Sequence, residues 1–137
     1  MTNDTDLLLA DTGPGLDQLE QTMIRAGWAV HRADPNGELL RLTHAEYGLA
    51  DLLISGTEYQ KSAIRRSITE IIDNSNVKVL TAEDVIVHKL IAGRFQDLAD
   101  IEAIVKSMDN LDDEYIQNWA IFWEVDDLWN QINSKTQ

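Results

Sequence analysis

Cysteine does not occur in the 137-residue chain. Its absence removes disulfide staples, thiolate zinc sites and cysteine nucleophiles, and it suits a reducing compartment. Proline appears twice and glycine seven times, too sparsely to make a flexible linker, and no internal repeat or low-complexity tract divides the chain. No apolar run approaches the roughly 20 residues that span a bilayer. The start at Met1-Thr2-Asn3-Asp4 is not the basic region of a secretory signal. Positive charge is scarce as well: 11 Lys and Arg stand against 24 Asp and Glu, for a net charge of −13. A surface of that sign repels phosphate backbones and anionic lipid, which argues against broad nucleic-acid binding and membrane association. A single cytoplasmic domain over residues 1–137, large enough to bury one core, is the expectation.

The charge is uneven. Residues 97–137 hold ten acids against Lys106 and Lys135, whereas Lys61, Arg65 and Arg66, then Lys89 and Arg94, are where cations gather. An anionic ligand is expected at these cations, Lys61, Arg65, Arg66, Lys89 and Arg94. Along the chain, Asp6-Leu7-Leu8-Leu9-Ala10 reads as a buried strand ended by the turn Asp11-Thr12-Gly13-Pro14-Gly15. Leu16, Leu19, Met23 and Ile24 fall at helical spacing before Gly27, a C-terminal cap. Residues 28–32 and 39–43 predict a hairpin about Asp34-Pro35-Asn36-Gly37. Residues 47–55 are apolar on both faces except for Asp51, so they belong inside a sheet.

Further on, a helix is predicted from Glu58 to about Ile68, then a loop at Asp73-Asn74-Ser75-Asn76 and a short strand over 77–80. Thr81 opens a capping box with Asp84, ahead of the helical stripe Val85, Ile86, Leu90 and Ile91. Past Gly93 the spacing of Leu98, Ile101, Ile104 and Val105 predicts a helix, and Tyr115, Trp119, Phe122 and Trp123 predict another. The expected fold is therefore α/β or α+β. A mixed sheet of about four to five strands from residues 1–80 carries packed helices, and residues 81–137 form a helical part.

Asp4 and Asp6 lie two apart on the first strand, so both carboxylates leave one face. Such a pair at a strand start is ordinarily solvated. Asp51 is harder to accommodate, because an aspartate within a buried strand costs several kcal/mol unless it is paired, bound to a metal or facing solvent at a strand end. If its strand runs beside the first, three carboxylates converge and repel unless a divalent cation neutralises them, and magnesium is the natural guest. Two such ions about 4 Å apart serve phosphoryl transfer. His31, His44 and His88 show no ligand spacing, and Ser55, Ser62 and Ser67 have no partners for serine hydrolysis. Trp119, Phe122, Trp123 and Trp129 make a stripe suited to a core or to a docked partner helix.

Thr2-Asn3-Asp4-Thr5-Asp6-Leu7-Leu8-Leu9 resembles the Thr-x-Asp-x-Asp-apolar signature of the DNA polymerase β-like minimal nucleotidyltransferases, in particular the AbiEii-type toxin branch and its relatives. Residues 47–53 resemble the strand bearing that family's third carboxylate. Residues 80–101, with Lys89-Leu90-Ile91-Ala92-Gly93-Arg94 and Asp97, Asp100 and Ile101, resemble its Lys-Leu-x-Ala-Gly-Arg-x-x-Asp-x-x-Asp-Ile helix pair.

The resemblance implies a nucleotidyltransferase domain in which Asp4, Asp6 and Asp51 hold Mg²⁺. Lys89, with Arg94 nearby, would reach a bound NTP or support the catalytic site, and a nucleoside monophosphate would pass to a hydroxyl acceptor. Arg94, Asp97 and Asp100 equally suit a structural ion pair and helix cap at a helix junction. The family's Gly-Ser or Gly-Gly phosphate grip, and the Arg before Thr-x-Asp, have no counterpart in these residues. Gly13 and Gly15 flank Pro14 and suit a tight turn instead. A sheet lacking that neighbour exposes an apolar strand edge, so a homodimer or other homo-oligomer, or an incomplete domain, is expected. The alternative is a truncated or degenerate, non-catalytic member acting as an interaction module for a partner protein, as in a toxin–antitoxin pair.

Overall fold

The computed structural model describes residues 4–9, 16–32 and 39–136. Among these residues the fold is mixed α/β, with six helices, one mixed four-stranded sheet and one antiparallel two-stranded sheet. The chain divides into two compact units, Met1–Arg65 and Arg66–Gln137.

The first unit holds β1 (Asp4–Leu9), α1 (Leu16–Arg25), β2 (Ala29–Arg32), β3 (Leu39–His44) and β4 (Gly48–Ile54), and it ends within α2 (Glu58–Arg66). The strand order is β1-β4-β3-β2. A parallel pair needs a long crossover, and here everything from α1 to β3 lies between β1 and its parallel neighbour β4. β3 pairs antiparallel with both β4 and β2. β4 thus takes the interior position that its apolar run requires.

One sheet face carries Leu40, Leu42, Ala50 and Leu52, all buried, with Leu9, Leu19, Met23, Trp28 and Val30 packed against them. Leu19 and Met23 stand four apart on α1, so this helix covers that face. Burying each large aliphatic side chain contributes about 1.5–3 kcal/mol. Arg32 fastens the same helix through ion pairs to Asp17 and Glu20. α1 closes with a Schellman motif: the Gly27 N–H donates to the Ile24 carbonyl at 3.0 Å and the Trp28 N–H to that of Met23 at 3.1 Å. Gly27 has φ of +96°, and a Cβ there would lie 3.2 Å from His44 Nε2, so both conformation and space ask for glycine.

The second unit begins with the hairpin of β5 (Ile68–Ile72) and β6 (Ser75–Val79) and continues with α3 (Ala82–Ala92), α4 (Phe95–Ser107), α5 (Asp113–Phe122) and α6 (Asp126–Thr136). α3 packs on α4 and α5, and α6 packs on the same two helices. Ile86, Val87, Leu90, Ile101, Ile116, Ala120, Trp129 and Ile132 are their buried apolar residues. The Thr81 hydroxyl caps α3 by accepting the Asp84 N–H at 3.2 Å, as the sequence predicts.

The hairpin corrects one expectation. Ile68, expected at the helix end, and Ser75 and Asn76, expected in the loop, lie in strands, and the turn is confined to Asp73 and Asn74, whose φ values of 49° and 65° match a type I′ turn. The predicted turns at 11–15 and 34–37 lie outside the described residues. Among the described residues no helix is long and apolar enough to cross a membrane.

Candidate functional site

Residues on the sheet face opposite the Leu40–Leu42 core make a line of charge across the first unit. His31 is in register with Arg41, Arg41 with Asp51, and Asp51 with Asp6, so the four fall in one row across β2, β3, β4 and β1. Register partners in neighbouring strands send side chains to the same face, about 4.8 Å apart along the hydrogen-bonding direction. Asp6 and Asp51 are therefore adjacent carboxylates. Asp4 begins β1 in register with Leu49.

The sequence explains the row locally. Leu40-Arg41-Leu42 and Ala50-Asp51-Leu52 alternate, so once the leucines and alanine enter the core the charged residue must face the other way. Asp51 is partly buried, its side chain 31% exposed, and Arg41 Nε lies 3.5 Å from its Oδ1. Two unit charges of like sign about 4 Å apart repel by about 1 kcal/mol in water and more where solvent is excluded. Arg41 offsets part of that repulsion, and a cation would have to compete with it.

The donor set is all carboxylate oxygen, which suits a hard divalent ion such as magnesium and not a soft one. Among the residues whose side chains are described, no group of three or more His, Cys, Asp or Glu is gathered to hold a metal. Asp6 and Asp51 are the residues that would begin such a site, and their register is the feature that fits it.

Lys89 and Arg94 belong to a different constellation, inside the second unit. Lys89 Nζ lies 2.8 Å from Asp100 and 3.8 Å from Asp97. Asp97 accepts from Arg94 three times, from its backbone N–H at 3.1 Å, its Nε at 2.7 Å and its Nη2 at 3.3 Å. Burial acts to raise the pKa of Asp97. The hydrogen bonds from Arg94 and the charges of Arg94 and Lys89 outweigh that effect, so the carboxyl is held below its ordinary value. The cluster joins α3 to the start of α4, which is the cap-and-ion-pair arrangement.

Arg41 escapes the sequence reading; its signal was the alternation of β3. Asp84, read from the sequence only as the partner of Thr81 in a capping box, is fully buried. It accepts from Tyr115 Oη at 2.5 Å, Thr81 Oγ1 at 3.1 Å and Arg66 Nε at 3.2 Å, and the Arg66 guanidinium lies 3.9 Å from the centre of the Tyr115 ring. Burial first, then the hydrogen bond and charge of Asp84, hold the Tyr115 phenol above its ordinary range. A charged residue four before His88 on an apolar helix stripe was the available hint.

Among the histidines, His31 ends the charged row. The His44 ring packs at a tilt against Trp28 and Tyr47, with centroids 5.0 and 4.6 Å away, its Nδ1 accepting from the Glu46 N–H at 3.0 Å. Nδ1 of His88 lies 2.8 Å from the Asp84 carbonyl oxygen. The structure thus brings Asp6 and Asp51 together and joins Lys89 and Arg94 to Asp97 and Asp100. Compared with known protein families and with curated proteins, the chain finds no match in either.

Proposed function

We propose that the chain is a nucleotidyltransferase domain that transfers a nucleoside monophosphate from an NTP to a hydroxyl acceptor with Mg²⁺, using Asp6 and Asp51 together with Asp4. The observation that carries the reading is the register of Asp6 with Asp51 on parallel neighbouring strands. Bound magnesium would supply charge neutralisation at the phosphates and lower the pKa of the attacking hydroxyl. The chain's own contribution is positional. Asp6 and Asp51 stand on a sheet whose far face is fixed by Leu40, Leu42 and Leu52, so their spacing is set by strand geometry rather than by a loop. In the reaction the acceptor oxygen bonds to the α-phosphorus, the bond from that phosphorus to the bridging oxygen breaks, pyrophosphate leaves, and the hydroxyl proton is lost to a base.

The Arg41–Asp51 pair favours a second reading, in which the row is a cross-strand charge ladder that orders the sheet and the chain serves as a non-catalytic module. Calorimetry separates the two. Titrating Mg²⁺ and each NTP into the wild type should show saturable binding that weakens by about tenfold or more in Asp51→Asn, the size expected for losing one carboxylate ligand. Nucleotide transfer from an α-labelled NTP should fall with it. A wild type that binds neither Mg²⁺ nor any NTP overturns the catalytic reading.

A further inference from the structure

The last turn of α5 carries Ile121 and Phe122 at 54% and 65% exposure. The Phe122 ring meets the edges of Trp119 and Trp123, with centroids 5.4 and 5.2 Å away and interplanar angles of 80° and 85°. An exposed phenylalanine flanked by two tryptophans is the kind of rigid aromatic anchor on which interfaces are built. The acids that follow it in the chain are Glu124, Asp126 and Asp127, and residues 109–127 hold no Lys or Arg.

We propose that this end of α5 docks a basic amphipathic segment of a partner protein, which lays an apolar side chain on Phe122 and pairs its Lys or Arg with Glu124, Asp126 and Asp127. Charge complementarity selects this occupant. Nucleic acid and anionic lipid are repelled by Glu124, Asp126 and Asp127, and no Lys or Arg in residues 109–127 offsets them. A second copy docking face to face would set the same acids against one another, since an isologous contact repeats one patch on both sides. An arginine also gains from the exposed aromatic face.

The turn after α5 supplies a useful variant. Glu124 has φ of 59°, with its N–H donating to the Ile121 carbonyl at 3.1 Å and the Val125 N–H donating to that of Ala120 at 2.8 Å. This is a Schellman cap with glutamate in the left-handed position that glycine adopts more easily. Glu124→Gly therefore removes an acid beside Phe122 while leaving the protein at least as stable.

The test titrates the whole chain with a helical Lys/Leu 14-residue peptide, a Glu/Leu peptide of the same apolar pattern and an oligolysine of equal charge, read by tryptophan fluorescence. The Lys/Leu peptide should bind saturably. Binding should weaken about tenfold in Phe122→Ala, as for an anchor residue, a few-fold in Glu124→Gly, and further as salt is raised. Phe122 is exposed, so its removal leaves folding intact, which a thermal melt verifies. Unchanged binding in Phe122→Ala, equal binding of oligolysine or of the Glu/Leu peptide, or self-association that depends on Phe122 would each overturn the proposal.

Discussion

At the scale of single residues, Asp97 shows how a buried charge is made tolerable. Its carboxylate is almost inaccessible, and the donors of Arg94 with the ammonium of Lys89 supply what water would. Its pKa is lowered in the folded state, so folding favours the charged form. That contribution is complete above the unfolded value near 4 and disappears as pH falls through the lower, folded value. Asp97→Asn should lower stability at neutral pH by about 1–3 kcal/mol. It should also flatten the acid limb of the stability profile below about pH 4. Urea unfolding between about pH 2.5 and 7 measures both, and parallel profiles for the two proteins would contradict the assignment.

At the scale of elements, the β5–β6 hairpin is the least buried piece of regular structure in the second unit. All five residues of β5 are exposed, Ile71 at 75%. A two-stranded ribbon with so little packing is marginal by itself. Its cross-strand amides should exchange with solvent at least about tenfold faster than those of α3 and α4, whose Ile86, Leu90 and Ile101 are buried. Exchange followed by mass spectrometry checks this, and comparable protection in the two places would argue against it. This element was also the least legible in the sequence. Ile68, Ile71 and Ile72 fall at i, i+3 and i+4, which is helical spacing, and only the turn at Asp73 and Asn74 decides for a strand. α3 was legible because Thr81 and Asp84 mark its start and Gly93 its end. The strands carrying Asp6 and Asp51 were legible by composition. Their register was not, because it depends on which strands become neighbours, and Arg41 was hidden for the same reason.

For the whole molecule, the excess of acids sets how it responds to its medium. A net charge of −13 on 137 residues is self-repulsive, and added salt screens it. The melting temperature should rise by a few degrees between about 10 and 150 mM NaCl, as calorimetric scans would show, and a fall would mean that attractive pairs such as Arg32 with Asp17 and Glu20 outweigh the repulsion. The chain divides into its two units between Arg65 and Arg66. The carboxylate row lies in the first unit and the exposed aromatic cluster of Trp119, Phe122 and Trp123 in the second.

The place of β1 in the sheet has its own consequence. It is a border strand, paired only with β4 among the described residues, and its sequence is rich in leucine. Such a rim is a template on which stray chains can polymerise into fibrils. Asp6 in the middle of it has the place of a gatekeeper, because every added copy would set another carboxylate beside it. Asp6→Asn would therefore be expected to raise the tendency of the chain to aggregate, which light scattering on heating would show.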